Sequence, residues 1–205
     1  MHNDILTIKQ LELQPYISKF KRSFYLVGGT AIALHIGHRR SIDFDLFTIS
    51  NLNRSKIKAE LLKLPFDQLT IFEDYDQLHL IINQVKVTFF SYPYAVPHPI
   101  KTDFHLSMPT LLSLAAMKAF ALGRRAKWKD YVDLYFILRD SHAIPEICAE
   151  AHNIFKGQFS EKLFREQLAF HKDIDYSEVV DYLVAPASDR NIKSFLIDEA
   201  TNLFS

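Results

Sequence analysis

The sequence has no surplus of charge. Its 24 Lys and Arg residues face 24 Asp and Glu residues, so the formal net charge is zero. A protein that coats nucleic acid or an anionic membrane by bulk electrostatics carries a large excess of positive charge. Any nucleic-acid contact must therefore come from a local patch. There is one cysteine, Cys148, which excludes a disulfide within the chain and a cysteine-built zinc site. Five glycines and eight prolines leave little room for long flexible linkers. No apolar run reaches the ~18–20 residues that a membrane span needs, and the start has no basic stretch followed by an apolar one. These absences predict a soluble protein of a reducing, cytoplasmic setting with no membrane partner.

What is present suits a packed fold. The 205 residues are 48% hydrophobic and 23% charged, an ordinary globular balance. A chain of this length buries roughly 70% of its unfolded surface and needs no covalent staple. The texture changes near residue 105. Short β-rich runs broken by polar turns precede it, and long helical patterns follow it. The expected organisation is an α+β core over 1–105, with a mixed sheet flanked by helices, followed by a helical bundle over 106–205. Pro93, Pro97 and Pro99 mark an extended connector.

In the first half, Leu6 to Phe20 reads as a helix weakened by Pro15. Phe24 to Val27 reads as a strand that ends at Gly28-Gly29-Thr30. Ala31 to Ile36 is helix-forming, and Gly37 is placed to stop it. Ile42 to Phe47 alternates apolar and acidic residues, a strand signal. Ile57 to Leu64 reads as an amphipathic helix. Leu78–Ile82 and Val85–Phe90 flank Asn83-Gln84 as a hairpin. In the second half, Ser107 and Pro109 suggest the start of a helix that runs to about Leu122 and meets Gly123. A second helix is expected over about Lys127–Arg139, and others near 145–155, 160–171, 176–183 and 190–203. Asp175 with Glu178 matches a capping box for the helix at 176–183.

Two local features carry chemistry. A strand that breaks at Gly28-Gly29 and opens a helix presents backbone N–H groups with no side chain in the way of a phosphate. The plainer reading is a tight left-handed connection. Asp43 and Asp45, at i and i+2 on a strand, project from one face about 6.5–7 Å apart. Ionised and unpaired, they would repel by about 2–3 kcal/mol at an effective dielectric near 20. A shared divalent cation removes that cost, and Mg²⁺ commonly takes one or two carboxylates together with substrate phosphates. The plainer reading is a solvent-facing strand, with Ile42, Phe44 and Leu46 turned to the core. The two features lie 14 residues apart, Gly29 to Asp43. Together they are far more specific than either alone. Neither a Walker-type loop nor a Gly-x-Gly-x-x-Gly fingerprint is present.

The run Leu26-Val-Gly-Gly-Thr-Ala-Ile-Ala-Leu-His-Ile-Gly-His-Arg-Arg-Ser-Ile-Asp-Phe-Asp-Leu-Phe47 resembles the signature of the AbiEii/AbiGii-type nucleotidyltransferases, within the DNA polymerase β-like superfamily. A second block is similar too: Met117-Lys118, Arg124-Arg125 and Lys127-Trp-Lys-Asp130-Tyr-Val-Asp133. The resemblance spans roughly residues 20–140. It implies a nucleotidyltransferase-fold core in which Gly28, Gly29 and Thr30 cradle the phosphates of an NTP and Asp43 and Asp45 hold Mg²⁺. Lys118 and Asp130 would complete the catalytic set from the helical side. It also implies a toxin or phage-defence context, with RNA (tRNA) or protein as acceptor and an antitoxin protein as partner. One departure stands out. The superfamily places a third carboxylate on a later strand, and the matching slot here is Thr88. A catalytically degenerate nucleotide- or partner-binding module is therefore the alternative.

Lys118 to Lys129 holds five basic residues and no acid. Beside the resemblance, Lys118 and Arg125 are expected to contact phosphate. The plain alternative is a solvated helix junction with Lys129 paired to Asp133 at i,i+4. Asp133 is expected to be structural. Arg39 and Arg40 lie between the glycine turn and the acidic strand, where they would touch phosphate or pair with Asp43. Ser41 would orient an Asp side chain. His35 and His38 share a helical face, but no third ligand stands at a suitable spacing for a metal.

Overall fold

The structure is a computed structural model that describes residues 1–122 and 124–202. It divides into two compact units, Met1–Pro109 and Thr110–Ser205.

The first unit is built on one mixed sheet. Helix α1 (Ile8–Ile17) starts in a capping box between Thr7 and Gln10. It holds Pro15 near its end and gives way to a 3-10 turn over Ser18–Phe20, so the expected single helix is split. Strand β1 (Tyr25–Val27), helix α2 (Gly28–Ile36) and strand β2 (Phe44–Thr48) follow. Gly37 ends α2 with φ +65°, the left-handed cap that its position suggested. Helix α3 (Arg54–Leu61) is capped by the Asn53 side chain, which accepts from the Lys56 N–H at 2.9 Å. Strands β3 (Gln68–Glu73), β4 (Gln77–Ile82), β5 (Val85–Ser91), β6 (Ile100–Lys101) and β7 (Ser107–Met108) complete the unit.

The seven strands lie in the order β3-β4-β5-β2-β1-β7-β6. The β2–β5 and β1–β7 pairs are parallel, and the others are antiparallel. Asn83 and Gln84 turn the β4–β5 hairpin with φ of +51° and +66°, the pair of left-handed residues that a tight two-residue loop needs. One sheet face is apolar: Phe44, Leu46, Leu78, Leu80, Val87 and Phe89 are all buried. Phe20 and Phe24 pack edge-on against Phe89 at centroid distances of 4.9 and 5.2 Å. Ile42 departs from the expected inward alternation. It precedes β2 and is 53% exposed. Strand β3 had no clear signal in the sequence, because as an edge strand it leaves Leu69, Ile71 and Phe72 exposed.

The second unit is helical. It contains α4 (Leu111–Leu122), α5 (Trp128–Asp140), α6 (Ile144–Phe155), α7 (Glu161–Ala169) and α8 (Asp189–Thr201). The eight helices and seven strands among the described residues make the fold α+β. Helix α4 starts later than Ser107 and Pro109 suggested. Ser107 is in β7, and the Thr110 hydroxyl accepts from the Ser113 N–H at 3.2 Å. Gly123, expected to end this helix, lies outside the described residues, as does residue 203 of the last expected helix. The helix expected over 176–183 does not form. The Asp175 N–H donates to the Ala126 carbonyl and the Trp128 N–H donates to the Asp175 carbonyl, which holds residue 175 extended. Glu178 pairs with Lys127 and Lys129 instead of capping a helix. Phe120 and Phe155 stack face to face at 4.0 Å within the apolar interior of this unit.

Candidate functional site

The glycine turn is a geometric requirement. Gly28 has φ +73°, and a Cβ there would land on the Asp45 carboxylate. Strand pairing explains the contact, because Val27 is the partner of Asp45. Gly28 thus lets the Asp45 carboxylate come up against the start of α2. Val27, at the cap position, makes no side-chain hydrogen bond to that helix start. Gly29 has a different role: a Cβ on it would meet the Arg39 guanidinium at 2.6 Å.

Asp43 and Asp45 are both half-buried, with Phe44 between them buried. Asp45 lies in β2 and Asp43 just before it. Asp45 is in register with Thr88 on β5, and Thr88 is in register with His79 on β4. Registered partners project to one face, so Asp45, Thr88 and His79 form a row across three strands. Burial and the Lys86 charge push the His79 imidazole below its ordinary value, while Asp45 pulls the other way. His79 escaped the sequence reading. Its signal was the alternation of Gln77, His79 and Ile81 with the buried Leu78, Leu80 and Ile82.

The residues around the pair fix its backbone. The Thr30 hydroxyl donates to the Asp43 carbonyl and can accept from the Ser41 hydroxyl, 3.0 Å away. Thr30 is 1% exposed, so its hydroxyl holds the chain leading into β2. Gln10 adds a hydrogen bond from its side-chain amide to the Ser41 carbonyl at 2.9 Å. Arg39 is 2% exposed and its guanidinium lies against Gly29 and donates to the Arg40 carbonyl at 2.9 Å. Arg40 reaches the Asp4 carbonyl at 3.1 Å. His35 hydrogen-bonds the Pro109 carbonyl at 3.0 Å, and burial pushes its pKa down.

The second motif forms a charged cluster in the helical unit. Lys118 on α4 donates to Asp130 and pairs with Asp133 at 2.9 Å, both on α5. The Arg125 guanidinium meets Asp130 at 3.0 Å. Lys118, Asp130 and Asp133 are buried, whereas the Arg125 side chain is 54% exposed. Burial alone would push the Asp130 carboxyl up. The charges of Lys118 and Arg125 and the Lys118 hydrogen bond outweigh it and hold the carboxyl below its usual range. Lys129 pairs with Glu178 at 3.3 Å, not with Asp133.

Two carboxylates and a neighbouring hydroxyl make an oxygen donor set. It suits a hard divalent ion that keeps water and takes its remaining ligands from substrate phosphates. It does not suit a metal held by protein alone. Among the described residues no group of three or more His, Cys, Asp and Glu side chains is gathered for one.

A sheet with a glycine turn beside paired carboxylates, followed by helices that carry a basic and acidic cluster, defines a nucleotidyltransferase fold. The profile of the AbiEii nucleotidyltransferase toxins of type IV toxin–antitoxin systems matches residues 16–200, and the chain belongs to that family. An uncharacterised protein of Aquifex aeolicus is 31% identical over 167 residues, which covers 78% of this chain and 72% of that protein. MenT4, a nucleotidyltransferase toxin of Mycobacterium tuberculosis, has a similar fold, with a TM-score of 0.64 at 14% identity over 95% of this chain and 82% of that one. A Helicobacter pylori protein described as a putative nucleotidyltransferase is similar with a TM-score of 0.59 at 12% identity, covering 94% of this chain and 91% of that one. Among the described residues no helix is long and apolar enough to cross a membrane.

Proposed function

We propose that this chain moves a nucleoside monophosphate from an NTP to a hydroxyl group of RNA or protein, at the end of the sheet where Gly28 meets Asp45. The observation that carries the reading is the left-handed Gly28, whose missing side chain lets the Asp45 carboxylate lie against the start of α2. The first-turn N–H groups of α2 take the phosphate oxygens. Asp43 and Asp45 hold Mg²⁺, with Thr30, Ser41 and Gln10 fixing the backbone between them. Such an ion, when bound, neutralises charge on the transferring phosphoryl group and acidifies the attacking hydroxyl. The acceptor oxygen bonds the α-phosphorus, the bond to the bridging oxygen breaks, and pyrophosphate leaves with that electron pair. The acceptor proton passes to water. In the helical unit, Arg125 is the exposed cation of the cluster and contacts anionic substrate. Lys118 and Asp130 hold it in place. An antitoxin protein is the partner that the family context supports.

Manganese binding, followed by electron paramagnetic resonance in the presence of NTP, tests this site. Asp43→Asn/Asp45→Asn is expected to weaken Mn²⁺ binding by about tenfold or more. Unchanged Mn²⁺ affinity in that folded variant would refute the assignment. A second reading rests on Thr88, which occupies the register position beside Asp45 where a third carboxylate would stand. In that reading the protein binds nucleotide or a partner without transferring anything. A wild-type protein that binds Mn²⁺ and NTP yet transfers no label would select it.

A further inference from the structure

Strand β1 links two different places. Val27, at one end, is the partner of Asp45, and Tyr25, at the other, is the partner of Phe47. Three residues of extended chain separate the two ends by about 7–10 Å. Beyond the Tyr25 end lies an open cavity of about 920 Å³, lined by the chain before β1, the chain after β2 and the proline-bearing connector. None of Gly28, Asp43 or Asp45 lines it.

Three features of this cavity point to one kind of ligand. Its charge is lopsided in a chain of zero net charge: Lys19, Lys21, Arg22 and Lys56 face a single acid, Glu60. Glu60 is already paired with Lys63 at 2.6 Å. Tyr25 lines the cavity at 4% exposure, with its hydroxyl shut off from solvent. The walls are apolar and aromatic. Phe24 and Val96 are buried there, and His98 stacks on the Tyr25 ring at 4.3 Å with an interplanar angle of 4°. The volume lies in the range of small-molecule sites.

We infer that this cavity is a second binding site, for a small ligand that joins an aromatic ring to phosphate, as a nucleotide does. Lys21 and Arg22 take the phosphate, and the ring packs on the apolar and aromatic wall that includes Phe24 and Tyr25. The site is independent of the metal-binding pair at the other end of β1.

Calorimetric titration of ADP into Asp43→Asn/Asp45→Asn, with a chelator present, isolates the cavity from the proposed catalytic site. One-to-one binding is expected, and adding Lys21→Glu and Arg22→Glu is expected to weaken it about tenfold or more. Inorganic pyrophosphate is expected to bind less tightly than ADP, because it lacks the ring. Displacement of ADP by a 5′-phosphorylated tetranucleotide would identify a nucleic-acid end as the source of the ligand. Failure to displace it would identify a free nucleotide, and either result supports the site. No binding of ADP by the folded parent variant up to about 1 mM, or binding that is indifferent to the Lys21 and Arg22 reversals, would overturn the proposal.

Discussion

Asp45 and Thr88 stand side by side on neighbouring parallel strands, in direct register. A hydroxyl therefore occupies the place beside the proposed metal ligands Asp43 and Asp45 where a carboxylate would complete a three-acid set. Thr88 is 7% exposed, so a charge introduced there must be neutralised by something bound. Thr88→Asp is expected to lower thermal stability in a chelator and to recover it when Mg²⁺ is added. Melting curves with and without Mg²⁺ check this. Equal Mg²⁺ stabilisation of wild type and variant would show that the row does not face a metal.

Gly28→Ala should harm both fold and site. Its φ of +73° makes any side chain strained, at about 1–2 kcal/mol, and its Cβ would displace the Asp45 carboxylate. Urea denaturation should show that loss, together with weakened Mn²⁺ binding. Gly157 is the control. A Cβ on it meets nothing within 4 Å, so Gly157→Ala should leave Mn²⁺ binding unchanged.

Lys118 sits between two buried carboxylates, Asp130 and Asp133. Replacing it with Met removes the buried cation that both carboxylates share. Lys118→Met is expected to cost about 3–5 kcal/mol, measured by chemical denaturation. The same cluster makes this unit sensitive to acid. The Asp130 carboxyl is held below its usual range when folded. Its contribution is therefore fully present above the ordinary carboxylate range and lost as the pH falls through the folded value. Asp130→Asn should flatten that part of the stability profile.

Glu178 offers a milder case of the same linkage. Hydrogen bonding to Lys127 leads, despite partial burial, in lowering its pKa to about 2. Its contribution is present above the ordinary glutamate range and fades as the pH falls towards about 2. Because the side chain is 43% exposed, solvent screening keeps that contribution to about 1 kcal/mol or less. Glu178→Gln should differ from wild type near neutral pH and converge with it in acid.

Cys148 should be inert in the folded chain. It is 3% exposed, and burial pushes its thiol up to about 12. A thiol reagent at neutral pH is expected to label it only after denaturant is added. Rapid labelling of the native protein would contradict the packing of α6.

Much of the local structure around the candidate site was legible because its physics is local. The glycine pair and Gly37 act within a few residues of chain and stand where their patterns suggested, whereas the strand of the Asp-x-Asp run starts only at Phe44. The hairpin at Asn83-Gln84 was legible for the same reason. What the sequence hid depends on partners far along the chain. Gln10 reaches Ser41 from a separate helix, and His79 joins the row only through strand pairing. Asp175 and Glu178 look like a capping box, but Ala126, Trp128, Lys127 and Lys129 claim their polar groups first. Local propensity lost there to tertiary hydrogen bonds and ion pairs.

The most direct measurement is transfer itself. Each of the four NTPs, labelled at the α-phosphate, would be incubated with the protein, Mg²⁺ and total bacterial RNA and protein, and the macromolecular fraction counted. The account predicts label in that fraction with wild type, dependent on Mg²⁺, and none with folded Asp45→Asn. Equal labelling by wild type and Asp45→Asn would contradict the placement of the chemistry beside Gly28 and Asp45.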